Sequence, residues 1–189
     1  MFNKRFWVSM LAFDIGWGLI VFGVNDGAYW FVLPGILAYS IADFIYSERR
    51  ANYFGLILGI LIVGCLADFM MAKLDLIRFA GEATLPVWMS FLWLLFSVTF
   101  ANNYYPLIIR KYWLVLMVGA LGGPFSYFAA TQLSVAQVIQ PEIFYPLSSL
   151  FWATLFFVLT KVTPFNKVLF AGNTINKKGK AGLKLPAFP

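Results

Sequence analysis

Long apolar runs separated by short polar segments follow one another along most of the chain. Each of six runs has 17 to 19 residues, and a helix that crosses a hydrocarbon core of about 30 Å needs about 17 to 25. Because lipid cannot hydrogen-bond a backbone, such runs must be helical. The pattern predicts an all-α integral membrane protein, a bundle of six transmembrane helices over Phe6–Gly23, Ala28–Tyr46, Tyr53–Met71, Leu85–Ala101, Trp113–Thr131 and Phe144–Thr160.

Composition and the placement of basic residues extend this prediction. Hydrophobic residues make up 61% of the chain and charged residues 12%, about half the charged share of a typical soluble domain. With the N-terminus inside the cell, the inner segments hold twelve Lys and Arg residues, and the outer segments hold two, Lys73 and Arg78. Cytoplasmic loops carry an excess of Lys and Arg. We therefore predict that both termini are cytoplasmic.

The chain divides into a six-span membrane domain over residues 1–162 and a basic tail over residues 163–189. The tail is rich in Lys, Gly and Pro, so we expect it to be flexible or to lie on the membrane surface. The net charge of +6 favours anionic lipid at the cytoplasmic face as a partner. No stripe of basic residues typical of nucleic-acid binding is present, so no nucleic-acid partner is predicted.

The outer segment between the third and fourth runs, AKLDLIRFAGEATLP, carries charges at helical spacing. Asp75 and Arg78 are three residues apart, and Arg78 and Glu82 are four apart, so each pair can interact along a helix. This spacing predicts a short interfacial helix. Tryptophans near the run ends are typical of membrane-interface anchors, and here they are Trp7, Trp30, Trp88 and Trp113.

Three aspartates lie within the apolar runs, where a charge near the bilayer centre costs on the order of 3 kcal/mol. Asp43 and Asp68 lie near run ends, so we interpret them as shallow carboxylates that pair with Arg49–Arg50 and with Lys73, respectively. Asp14 lies near the middle of its run, away from basic residues. It is either hydrogen-bonded to a neighbouring helix or part of a functional site.

The fifth run contains VGALGGPFSYFAA, which places helix breakers at its centre. Gly119 and Gly123 form a GxxxG face that lets another helix approach closely. Pro124 cannot donate to the carbonyl of Ala120, which predicts a kink or a break. Either the helix is kinked and tightly packed, or a binding site lies at the break. The residues assigned to helix packing or to the kink are Gly119, Gly122, Gly123 and Pro124.

Polar and aromatic side chains inside the runs are the candidates for a ligand site. Trp17 and Trp93 lie deeper than interface tryptophans usually do, and two hydroxyl residues follow the proline of the fifth run. The candidate set is Asp14, Trp17, Trp93, Ser126 and Tyr127. The chain has no histidine and one cysteine, Cys65, so the usual haem, di-iron, zinc and Ser-His-Asp sites are not expected. We predict no catalytic residue, metal or cofactor.

Two stretches resemble a known family. The run LPVWMSFLWLLFSVTFANN and the later GALGGPFSYFAA, together with Asp14–Trp17, are similar to the bacterial inner-membrane family catalogued as domain of unknown function 2878. The resemblance implies a multi-pass protein of the bacterial cytoplasmic (inner) membrane without an assigned activity. It also implies a genomic association with fatty-acid-modifying methyltransferases, which favours lipid handling.

Three classes of function are open at this point. The chain binds or moves a small or lipid-like molecule through a cavity at the broken fifth helix, with the candidate set around it. Alternatively it is a non-catalytic accessory or scaffold subunit of a membrane lipid-modifying system, which uses the glycine face of the fifth run to bind a membrane protein partner or a second copy of the chain. A third hypothesis is a carboxylate-dependent membrane enzyme, although no catalytic constellation is visible.

Overall fold

The computed structural model describes residues 4–45, 50–81, 84–103 and 112–162. Within these ranges the chain forms six α-helices, a short 3-10 helix at Ala28–Phe31 and two short strands. The helices are α1 (Lys4–Gly23), α2 (Leu33–Ile45), α3 (Arg50–Lys73), α4 (Val87–Asn103), α5 (Tyr112–Gln132) and α6 (Pro141–Val162). The predicted tail, residues 163–189, lies outside the described residues.

Four helical stretches are long and apolar enough to cross a membrane, which indicates a membrane protein. They are Ala28–Ile45, Tyr53–Lys73, Trp113–Gln132 and Pro141–Leu159. The apolar parts of the other two helices, Trp7–Gly23 and Val87–Ala101, are shorter. The prediction of helices in all six runs is therefore confirmed, and the prediction of membrane-spanning length is confirmed for four of them.

Large apolar side chains are exposed on all six helices of the bundle. Large side chains such as Leu121 and Phe125 are 63% and 68% exposed, respectively. Helices of a soluble protein keep their apolar residues on one stripe facing the core. Exposed apolar side chains on every helix are what a lipid solvent favours, so the surface agrees with the composition.

The helix α4 lies at the centre of the bundle and packs against α1, α2 and α3, while α5 and α6 form a closely packed hairpin. Glycines allow the close approaches to α4. A Cβ atom at Gly16 in α1 would lie 2.6 Å from Leu95 Cδ2, and one at Gly64 in α3 would overlap the indole of Trp93. Trp93 in turn stacks on Trp152 of α6 with ring centroids 5.0 Å apart, which joins α4 to the hairpin.

A small antiparallel sheet closes one end of the bundle, and it corrects the prediction of an interfacial helix after the third run. Strand β1 (Ile77–Phe79) pairs with β2 (Ala136–Val138). Asp75 ends the preceding helix with φ +53°, and burial then alternates with a period of two, with Arg78 exposed between buried neighbours. Asp75 and Arg78 do pair at 2.9 Å, although not along a helix, and Glu82 lies outside the described residues.

Three connecting loops meet at this end of the molecule. The side-chain amide of Asn25, which follows α1, donates to the carbonyl of Leu133, which follows α5, at 3.3 Å. The side-chain amide of Gln140 donates to the carbonyl of Asp75 at 3.2 Å. The loops after α1, α3 and α5 are therefore adjacent, as an up-and-down order of helices requires.

The strand register can be checked by cross-linking. Arg78 and Gln137 are Cα partners in the two strands, and directly opposed strand residues lie about 4.5–5.5 Å apart, which a disulfide can bridge. We expect Arg78→Cys with Gln137→Cys, in a Cys65→Ser background, to form an intrachain disulfide under mild oxidation and to migrate faster on a non-reducing gel. Each single variant is the control. A double variant that stays reduced would contradict the pairing of the two loops.

Candidate ligand-binding cavity

A cavity of about 220 Å³ lies inside the bundle, between the centre of the helices and the end that the small sheet closes. Five helices contribute to its wall, and α2 contributes none. Eight of the seventeen lining residues are aromatic and one is charged. The lining residues are Phe13, Trp17, Val21, Asp68, Trp88, Met89, Leu92, Trp93, Phe96, Val118, Gly122, Gly123, Ser126, Tyr127, Ala130, Trp152 and Phe156.

Asp68 of α3 is the one charged residue of this wall. Its side chain is 0% exposed. The indole N–H of Trp93 donates to Oδ2 at 2.6 Å, and the hydroxyl of Tyr127 donates to Oδ1. Within the described residues both partners of the carboxylate are neutral, and no cation lies within ion-pair distance of it. The site therefore joins α3, α4 and α5 through a single buried acid.

This placement corrects the interpretation of Asp68 as a shallow carboxylate paired with Lys73. Residues five apart lie about 140° apart around an α-helix with 3.6 residues per turn, so the two side chains leave α3 on different faces. Lys73 lies instead over the ring of Phe69, with Nζ 5.5 Å from the ring centroid. Asp68 lies on the same face of α3 as Gly64, four residues earlier. The indole of Trp93 packs against that glycine.

Asp43 is also more buried than the sequence indicated. It is buried, and the hydroxyl of Tyr53 donates to its carboxylate. The predicted partners, Arg49 and Arg50, have side chains outside the described part of the chain. Asp43 does not line the cavity.

Aromatic rings form most of the wall and hold one another in fixed orientations. The rings of Trp93 and Trp152 are stacked at 15°. Phe96 meets Trp152 edge to face, with centroids 5.1 Å apart and an interplanar angle of 88°. Edge-to-face and offset pairs of this kind are worth about 0.5–1.5 kcal/mol beyond their burial. The wall is therefore rigid on the side that α4 and α6 provide.

One polar atom in the wall has no hydrogen-bond partner among the described residues. Trp152 is 8% exposed, and its buried Nε1 lies near the hydroxyl of Tyr127 without the geometry of a hydrogen bond to it. A buried donor left unsatisfied costs about 1–3 kcal/mol. Such atoms in native proteins usually meet water or a ligand.

The glycine-proline stretch of α5 does not break the helix, which corrects the expectation of a discontinuous fifth span. Pro124 lies inside the continuous helix Tyr112–Gln132. The hydroxyl of Ser126 donates to the carbonyl of Gly123 at 2.6 Å, within the same helix. The cavity therefore does not depend on an unwound backbone. It lies beside an intact helix whose small residues leave room.

The glycines of α5 divide between packing and the cavity. A Cβ atom at Gly119 would lie 2.7 Å from the carbonyl oxygen of Trp152 in α6, and one at Gly123 would overlap the Trp152 indole. Gly122 meets nothing within 4 Å and lines the cavity. The GxxxG face is thus occupied by α6 of the same chain.

The cavity opens sideways between α1 and α5. Val118 and Gly122 of α5 are exposed and also line the cavity. Trp17 of α1, on the opposite wall, is half-buried. Close backbone packing joins α5 to α6 and α1 to α4, but within the described residues it does not join α1 to α5. In a membrane this opening faces lipid rather than water.

The structure brings together four of the five predicted ligand residues. Trp17, Trp93, Ser126 and Tyr127 all line the cavity, but Asp14 lies on the exposed face of α1 outside it. The acid that lines the cavity is Asp68 rather than Asp14. The signal that would have found Asp68 was its spacing: a cation three or four residues away on its own helix is missing, and Gly64 marks its face as the one against α4.

Comparison with protein families identifies one match. The family described as protein of unknown function (DUF2878) matches residues 6–158. The chain belongs to this family. The DUF2878 region contains every lining residue of the cavity, from Phe13 to Phe156, so the cavity is part of the family domain. Comparisons of this DUF2878 member with curated proteins and with solved structures find no match.

The arrangement is chemically suited to binding. General acid–base catalysis needs a group within hydrogen-bond reach of a reacting atom, whereas the Asp68 carboxylate is enclosed by its two donors. Among the described residues no three metal-ligating side chains come together. Apolar walls with a few convergent polar groups are the general form of a small-molecule site.

Proposed function

We propose that this protein binds a small, largely apolar molecule in the cavity between α1 and α5 and exchanges it with the lipid phase. The proposal includes six membrane crossings, cytoplasmic termini and a location in the bacterial cytoplasmic (inner) membrane, and the positive-inside pattern and the family resemblance support it. The proposal also keeps anionic lipid as a partner of the chain at the cytoplasmic face.

The convergence of polar groups in an otherwise apolar cavity carries this proposal. Asp68, Tyr127 and the unpaired Nε1 of Trp152 come from three different helices to one cavity. A polar group buried within a membrane bundle is costly unless it is used or satisfied. A purely structural core would be built more cheaply from apolar residues alone.

The two other hypotheses have less support. The enclosed carboxylate speaks against an enzyme, and the occupied GxxxG face removes the surface that an accessory subunit was expected to use. One observation still favours partner binding: Asp14 lies exposed among apolar residues of α1, such as Leu11 and Ile15. A carboxylate on a lipid-facing surface is costly, and a polar residue of a neighbouring membrane protein would relieve this cost.

Co-purification separates these proposals. In mild detergent, we expect mass spectrometry to find one molecule enriched on the wild type and depleted about tenfold on Gly122→Phe, because overpacking a filled site costs on the order of 1–3 kcal/mol. The new ring would project from a position where a Cβ atom meets nothing within 4 Å. Gly59→Phe is the matched control, since Gly59 is equally free of neighbours and does not line the cavity.

Asp14→Asn completes this experiment. Ligand retention should be unchanged in this variant, because Asp14 lies outside the cavity. Loss of a co-purifying protein from it would support the partner-binding alternative. Identical small-molecule profiles on the wild type and Gly122→Phe would refute the cavity as a binding site.

A further inference from the structure

We infer that the ligand of this cavity is an organic cation, a quaternary ammonium or protonated amine attached to an apolar body. This inference rests on the proposed function and specifies its substrate class. It follows from the charge of the wall and from the chemistry of its rings, which are independent observations.

The charge of the wall is negative, and within the described residues it has no counter-charge. Asp68 is 0% exposed, its partners Trp93 and Tyr127 are neutral donors, and no Lys or Arg lines the cavity. In a low-dielectric interior the attraction between unit charges extends much further than in water. A cation in the cavity would therefore be stabilised by Asp68 without touching it, and it would supply the counter-charge that the described part of the chain lacks there.

The rings of the wall favour the same kind of ligand. Trp faces, followed by Tyr and Phe, attract cations through their quadrupoles, and aromatic cages are a recurrent site for quaternary ammonium groups. Trp93 and Tyr127 donate their polar hydrogens to a carboxylate, which increases the electron density of both rings. Their hydrogen bonds to Asp68 therefore make two rings that line the cavity more attractive to a cation.

Other ligand classes fit less well. An anion would meet a buried carboxylate and no basic side chain. Hard metal ions require six to eight oxygen ligands, or octahedral coordination with several waters, whereas this wall offers one carboxylate whose two oxygens already accept hydrogen bonds. A neutral apolar molecule would gain from burial but would leave the charge of Asp68 uncompensated.

The size of the cavity limits the cation. A volume of about 220 Å³ lies below the range of about 300–1,000 Å³ for drug-sized sites. The cavity therefore holds a small cation, or the head of an amphiphile whose chain leaves through the opening at Val118 and Gly122. Both sources share the ammonium chemistry.

A pair of isosteres tests the inference. Choline and 3,3-dimethylbutan-1-ol have the same shape, but the second has carbon in place of the charged nitrogen. We expect choline to bind the purified full-length protein about tenfold or more tightly than the neutral alcohol, measured by quenching of tryptophan fluorescence and by calorimetry. Octyltrimethylammonium, titrated below its micellar concentration, distinguishes the sources: tighter binding than choline indicates an amphiphile, and equal binding indicates a small free cation.

Variants of two acidic residues test whether the preference for choline over the neutral alcohol depends on the acid in the cavity. Asp68→Asn can retain both hydrogen bonds, because the amide oxygen accepts from Trp93 while the amide N–H donates to the Tyr127 hydroxyl. We expect it to lose the preference for choline over the alcohol while keeping its thermal unfolding temperature. Asp14→Asn removes an acid outside the cavity and should keep the preference.

Each alternative outcome overturns a distinct statement. Equal affinity for choline and the alcohol, both lost in Gly122→Phe, would refute the cation and leave the proposed function standing. Saturable binding of neither cation would also refute the inference, and an unchanged co-purification profile in Gly122→Phe would then refute the function as well. A preference that is lost equally in Asp14→Asn and Asp68→Asn would show that the effect is not specific to Asp68. The isostere comparison on the wild type needs no variant to fold.

Discussion

Gly119→Ala is expected to destabilise the α5–α6 hairpin by about 2 kcal/mol. The added Cβ atom would lie 2.7 Å from the carbonyl oxygen and 3.0 Å from the carbonyl carbon of Trp152, and 3.1 Å from the Cα atom of Ala153. All three are backbone atoms, so no change of rotamer relieves the overlap and the helices must separate. Overpacking of this kind costs about 1–3 kcal/mol, and in a continuous helix alanine returns at most about 1 kcal/mol of propensity.

A neighbouring glycine supplies the control for this prediction. Gly122 lies in the same helix, and a Cβ atom there meets nothing within 4 Å, so Gly122→Ala should leave stability unchanged or raise it by up to about 1 kcal/mol. Thermal unfolding in detergent would show the difference as a fall of roughly 4–8 °C for Gly119→Ala. If both variants unfold at the same temperature, α5 and α6 do not meet at Gly119.

The helices of this protein could be predicted because lipid leaves the backbone few alternatives. Every apolar run became a helix, including the fifth, where three glycines and Pro124 favoured a break. Hydrogen bonds within a helix are the cheapest way to satisfy a backbone in an apolar solvent, and this requirement outweighs the weak helix propensity of glycine. The sheet was not predictable in the same way, because β1 and β2 lie in separate loops, far apart in sequence, and within the described residues each pairs only with the other.

Depth along a helix could be estimated from the sequence, but the direction of a side chain could not. Trp7, Trp30 and Trp113 are exposed near helix ends as interface anchors should be, whereas Trp88 is buried and its indole N–H donates to the carbonyl of Ala80 at 3.1 Å. The same limit explains why Asp14 was predicted to be the acid of the cavity, whereas Asp68 lines it. Depth made Asp14 the more costly acid, but contact with the cavity is decided by which face of each helix meets its neighbours.

Asp68→Leu is expected to cost about 3 kcal/mol, the larger of the two stability effects. Leucine branches at the same atom as aspartate but is bulkier and accepts no hydrogen bond, so the Trp93 indole N–H and the Tyr127 hydroxyl would both be buried without a partner. Each unsatisfied donor costs about 1–3 kcal/mol. The measurement is thermal unfolding in the same detergent as for the glycine variants, and the expected fall is roughly 6–12 °C.

A double-mutant cycle separates the contribution of side-chain shape to stability from the contribution of the hydrogen bonds to Asp68. Tyr127→Phe removes one of the two stranded donors, so Asp68→Leu combined with Tyr127→Phe should be less destabilised than the sum of the single variants by about 1–2 kcal/mol. Asp68→Asn keeps a hydrogen bond to each ring, because its amide oxygen accepts from the Trp93 indole N–H and its amide N–H donates to the Tyr127 oxygen, so it should stay within about 1 kcal/mol of the wild type. If the asparagine and leucine variants are destabilised equally, the carboxylate contributes through its charge rather than as an acceptor, because charge is the property that both variants remove. If neither is destabilised, Asp68 does not hold Trp93 and Tyr127 in place, and the rings of the cavity are fixed by packing alone.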